Sequence, residues 1–105
     1  ARASAVKNGL VNGIKECVVV AADNRTTSFT AAQSYATATA FRGYTIGQNS
    51  STGNSCYGAT ATAGDSAADS SFSIVMNATT GQVTRTCTDN TKAGCDGTGG
   101  GAGTW

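Results

Sequence analysis

The chain has 105 residues, of which 12% are charged and 39% hydrophobic, with 14 Gly, no Pro and no His; seven basic against six acidic side chains leave a formal charge of +1. That length suits one domain, and the near-neutral balance supplies neither a basic field for nucleic acid nor an acidic one for cations. Without histidine there is no Ser-His-Asp or Cys-His nucleophile and no Cys/His zinc site, and Glu16 is the only glutamate, so an enzyme is not expected.

Residues 1–22 carry the clearest periodicity. At helical spacing Val6, Leu10, Ile14, Cys17 and Ala21 fall within one arc, while Lys7, Asn8, Asn12, Lys15 and Glu16 lie outside it. This predicts an amphipathic helix with a single buried stripe. Gly9 and Gly13 each cost about 1 kcal/mol relative to alanine, and Val18-Val19-Val20 is β-branched, so the helix needs tertiary support. No Ser, Thr, Asp or Asn stands before Ala1 to cap it, which fits either a frayed terminus or a chain cut inside a longer helix. The longest apolar run, Cys17 to Ala22, is far short of the ~20 residues that span a bilayer.

Asp23-Asn24-Arg25 ends this helix. Thr30-Ala31-Ala32-Gln33 matches a capping box and predicts a short second helix through about Ala38, with Phe29 and Tyr35 packing on the first. From residue 41 the period changes to two. Strands are predicted at Phe41–Ile46, Cys56–Thr62, Ser71–Met76 and Gln82–Cys87, the last two joined by an Asn77–Gly81 hairpin turn. Polar loops fall at Gln48–Asn54 and Gly64–Ser70, and the glycine tract Gly97–Gly103 reads as a flexible linker ending on Trp105.

Cys17, Cys56, Cys87 and Cys95 lack the C-x₂-C spacing of a structural zinc site. In a short, polar, threonine-rich chain they predict disulfides and an oxidising compartment, with three pairings open. Asp65, Asp69, Asp89 and Asp96 are too dispersed for calcium, which takes six to eight oxygens, and read as solvated loop carboxylates. The glycine tract neither follows a strand nor opens a helix with Lys-Ser/Thr, so it is not a phosphate loop. The acceptor patterns at Asn24, Asn49 and Asn77 read as products of Asn- and Thr-rich loops. Tyr44, Tyr57, Arg42 and Arg85 offer a cation–aromatic patch, but ordinary sheet surface is the expectation at this net charge. No metal or cofactor is expected.

The order of these elements resembles the type IV pilin ectodomain. Ala1-Arg2-Ala3-Ser4-Ala5-Val6-Lys7-Asn8 is similar to that family's helix just beyond its hydrophobic half. Ile14-Lys15-Glu16-Cys17, Ser55-Cys56-Tyr57, Phe72-Ser73-Ile74 and Thr80–Cys87 look like segments of pilins from marine cyanobacteria. The resemblance implies an α+β fold: one long N-terminal helix on a three- to four-stranded antiparallel sheet, with a disulfide-stapled C-terminal loop. In those terms 1–22 is the C-terminal half of the helix and 23–55 a connecting region with a short helix and the first strand. Residues 56–87 are then the antiparallel strands, and 87–105 the disulfide loop and Gly-rich tail. It also implies the pairings Cys17–Cys56 and Cys87–Cys95.

The function so implied is structural. The chain would be the subunit of an extracellular filament serving attachment, twitching motility or DNA uptake. Its partners would be other copies of itself and the pilus assembly machinery, without strong nucleic-acid binding by this domain, and its precursor would be held in the membrane by an apolar N-terminal helix absent here. Two alternatives are a type II secretion pseudopilin, whose major forms more often carry a calcium loop in place of cysteine staples, and a small secreted binding module.

Overall fold

A computed structural model describes residues 2–23, 27–29 and 43–105. Its helix α1 runs Arg2–Ala22, followed by strands β1 (Tyr44–Gln48), β2 (Gly58–Ala63), β3 (Phe72–Met76), β4 (Val83–Cys87) and β5 (Gly103–Thr104). The described strands form one antiparallel sheet in the order β1-β2-β3-β4-β5. The fold is α+β, a helix packed on a meander.

Side-chain alternation decides what the sheet offers the helix. Register places Tyr44 beside Ala63, Ile46 beside Ala61, Ala61 beside Phe72, Ala59 beside Ile74, and Phe72 and Ile74 beside Cys87 and Arg85. Ala59 and Ala61 are fully buried. With only methyl groups there, β2 lets the helix come close, and α1 packs on β2 and β3. Val6, Leu10, Ile14 and Cys17 fill the other half of the core, each aliphatic member contributing roughly 1.5–3 kcal/mol by leaving water. Gly13 is buried on the same side of the helix, while Ala21 is only half-buried, so the stripe ends at Cys17 rather than running through Ala21.

Cys17 is bonded to Cys56, which ties α1 to the turn before β2, and Cys87 is bonded to Cys95, which closes the loop after β4. Their sequence separations of 39 and 8 correspond to about 4 and about 2.5 kcal/mol of removed unfolded-chain entropy. Against a domain stability of roughly 5–15 kcal/mol, these staples are first-order terms.

Three expectations are corrected. Among the described residues the sheet has five strands, not three to four, because the tail supplies β5: Thr104 exchanges two backbone hydrogen bonds with Asp96 (2.8 and 2.9 Å) and pairs with Thr86. The glycine tract is therefore not a free linker. Asn90 donates its side-chain N–H groups to the carbonyls of Thr98 and Ala102 and its backbone N–H to Gly101. Gly99, Gly100 and Gly101 adopt the positive φ values this tight return requires. The second strand also starts later than expected, at Gly58, since Cys56 and Tyr57 lie in a turn, while β1 follows a turn at Gly43. The Thr30–Ala38 helix, Tyr35, Phe41 and Arg42 lie outside the described residues; Phe29 is half-buried against the core.

Candidate functional site

Three surfaces follow from this framework. The first is the C-terminal clamp. Trp105 packs edge-on to Phe72 at 6.1 Å between ring centroids. Its Nε1–H donates to the carbonyl oxygens of Thr86 (2.8 Å) and Ser73 (3.1 Å), which are cross-strand partners on β4 and β3. Lys7 places its ammonium 5.9 Å from the centroid of the Phe72 ring and donates to the Gly94 carbonyl oxygen inside the disulfide loop. One core ring thus joins helix, sheet, loop and chain end.

The second surface is the outward face of the sheet. Thr60, Ser73, Thr86 and Thr104 follow one another across β2, β3, β4 and β5, with Thr45 beside Thr62 and Thr84 beside Val75. Neighbouring hydroxyls of Thr60 and Ser73 lie within 3.3 Å. Threonine suits this role because it combines β propensity with a solvated hydroxyl. The face is polar and carries no charge on these positions.

The third surface is a groove of about 360 Å³ between α1 and the β3–β4 hairpin. Val11, Ile14 and Val18 form its helix wall, and Ile74, Met76 and Val83 its sheet wall. Its two polar side chains, Lys15 and Arg85, are both cations. Arg85 also lies 5.7 Å from the centroid of the Trp105 ring. Sequence reasoning missed this groove. The signals were an apolar Val83 at a strand position later found exposed, and the β-branched end of a helix whose burial stops at Cys17.

The remaining candidate residues do not converge. Asp65 turns the loop after β2 by accepting from the Ala67 N–H. Asp89 accepts from both the hydroxyl and the backbone N–H of Thr91, and these bonds, the hydroxyl's first, hold its carboxyl below the ordinary value of 3.8. Asp96 serves the β5 bridge through its backbone, and Asp69 sits half-buried in the loop before β3. Among the described residues no group of three or more His, Cys, Asp or Glu is placed to hold a metal ion.

Tyr44 is buried against Phe72 at 6.0 Å, and Arg85 reaches Trp105 rather than a tyrosine, so the described members of the cation–aromatic patch do not form one. Asn49 is buried, with its side-chain oxygen held by the Ser51 N–H. Asn77 is exposed and caps its hairpin through the N–H groups of Thr79 and Thr80, and Asn24 lies outside the described residues. No described helix is long and apolar enough to cross a membrane. Comparison with protein-family models, with curated proteins and with solved structures finds no match to this chain.

Proposed function

We propose that this chain is the globular domain of a type IV pilin, a structural subunit of an extracellular filament. The observation that carries the reading is one arrangement: helix α1 laid across β2 and β3 of an antiparallel meander, with a C-terminal loop closed by Cys87–Cys95 against the helix's N-terminal half. In this reading the chemical task is persistence. A filament subunit outside the cell has no chaperone to refold it, and the disulfides cross-link the chain at the β2 entry and the β4 exit, where they would resist local opening. The uncharged threonine face would form the filament's coat, and low overall charge would limit repulsion between neighbouring copies.

The partners in this reading are other copies of the chain and the machinery that assembles them. The full-length protein would carry an apolar helical stretch encoded immediately before Ala1, continuing α1 as a rod. Immunogold labelling of cells that express the protein, with antibodies to the folded 105-residue domain, tests it. Labelling along filaments is expected, together with loss of those filaments when the gene is disrupted. Label confined to the medium or the cytoplasm, with filaments unchanged, would overturn it.

A further inference from the structure

Among the described residues three large hydrophobic side chains are exposed: Val18 (44%), Val19 (58%) and Val83 (42%). Two of the three gather at one groove. Val18 and Val83 face each other across the groove between α1 and the β3–β4 hairpin, and Val19 follows Val18 on the helix. Exposed apolar groups gathered in this way mark a contact surface.

The groove specifies its occupant's chemistry. Both of its polar side chains are cations, Lys15 and Arg85, and none of the chain's six acidic residues lines it. The occupant must therefore bring an apolar knob flanked by negative charge. That description is met by the chain itself. Glu16 and Val19 lie at i and i+3 along α1, so they share one helix face, an acid beside an exposed valine. By the 3.6-residue turn this ridge lies about a third of the way round the helix from the groove wall. One copy cannot fill its own groove with it.

We infer that the Glu16–Val19 ridge on α1 of one copy enters the groove between α1 and the β3–β4 hairpin of a second copy, Val19 against Val83 and Glu16 against Lys15 and Arg85. The two patches are different surfaces of the same molecule, so the contact is heterologous: each copy that docks leaves a free groove at one end and a free ridge at the other. Such contacts propagate into rings or open helical filaments rather than stopping at a closed dimer. The inference rests on the filament reading and names the contact through which its subunits would meet.

A complementation experiment on the folded 105-residue chain tests it. Val83→Asp breaks the groove and Val19→Asp breaks the ridge; both positions are exposed, and circular dichroism checks that each variant folds. Sedimentation velocity from micromolar to millimolar concentration is expected to show the parent chain associating progressively, more weakly as salt is added. Each variant alone should associate at least tenfold more weakly. Their equimolar mixture should form heterodimers and nothing larger, because each pair joins one intact groove to one intact ridge. A parent chain that stays monomeric throughout, or a mixture no more associated than its components, would overturn the inference. So would a closed parent dimer, which requires an isologous contact.

The same substitutions in the full-length protein separate this contact from the pilin reading. Filaments that form normally with both would reject the contact and leave the pilin reading standing. Complementation in solution, with the chain absent from every filament, would reject the pilin reading and leave the contact standing.

Discussion

The Lys7 ammonium donates to the carbonyl oxygen of Gly94 at 3.2 Å, bridging the first turns of the helix to the disulfide loop 87 positions away. The same side chain lies over Phe72, the largest fully buried of the described residues. Replacing it with methionine keeps the apolar stem but leaves the Gly94 carbonyl without this donor. Lys7→Met is expected to cost about 1.5–3 kcal/mol, the range for a hydrogen bond from a charged group, read as a lower urea midpoint with an unchanged slope. No change in midpoint would mean that the contact is replaced by water at no cost.

Trp105 is the only tryptophan, so intrinsic fluorescence reports whether the chain end is docked. Trp105→Phe preserves a ring against Phe72 and removes the N–H that serves Ser73 and Thr86; a loss of about 1 kcal/mol is expected. Gly103→Ala acts on the same clamp from the other side, since its Cβ would meet the Asp96 carbonyl oxygen and lie 3.1 Å from the Cys95 sulfur. A loss of about 1–3 kcal/mol is expected from overpacking, with Trp105 emission shifted to the red as β5 lifts away. Unchanged emission in Gly103→Ala would show that the tail docks without β5.

Acid sensitivity follows from Asp89. Its carboxyl is held below the ordinary value of 3.8 chiefly by the Thr91 hydroxyl and N–H, so the ionised form favours the folded state. That contribution is complete above the unfolded value and disappears as pH falls through the lower, folded one. Asp89→Asn should lose stability less steeply than the parent as pH falls through and below the ordinary value of 3.8. Equal slopes by chemical denaturation across that window would contradict the assignment.

How much of this was legible in the sequence depended on range. Val6, Leu10, Ile14 and Cys17 announced the buried stripe because helical period is a local property, and Asn77–Gly81 announced its hairpin because turn chemistry is local too. Ala21 misled because period alone does not say where the supporting sheet ends, and the helix beyond Cys17 turns Val18 and Val19 to the surface. β5 was illegible for a different reason. Gly103 and Thr104 have no strand-like pattern of their own; Asn90, Asp96 and Thr86, distant partners, make them a strand. The groove was likewise invisible, since it exists only where Val18 and Val83 are brought together by the packing of α1 on β3.

Removing the C-terminal staple separates its two roles. Cys87→Ser with Cys95→Ser should cost about 2.5 kcal/mol if the bond acts through the unfolded chain, and more if the loop it closes also holds Gly94 for Lys7 and Asp96 for β5. Native-state hydrogen exchange distinguishes the two cases. Faster exchange confined to Asn90, Asp96 and Thr104 would show local release of the clamp, whereas uniform acceleration would show a purely global effect.

The filament reading stands or falls most directly on the composition of filaments sheared from cells that express this protein, determined by mass spectrometry without reduction. The account expects peptides of this chain in stoichiometric amounts, cross-linked Cys17 to Cys56 and Cys87 to Cys95, and joined at Ala1 to an apolar helical segment. Filaments devoid of these peptides, with the intact chain recovered free in the medium, would contradict it.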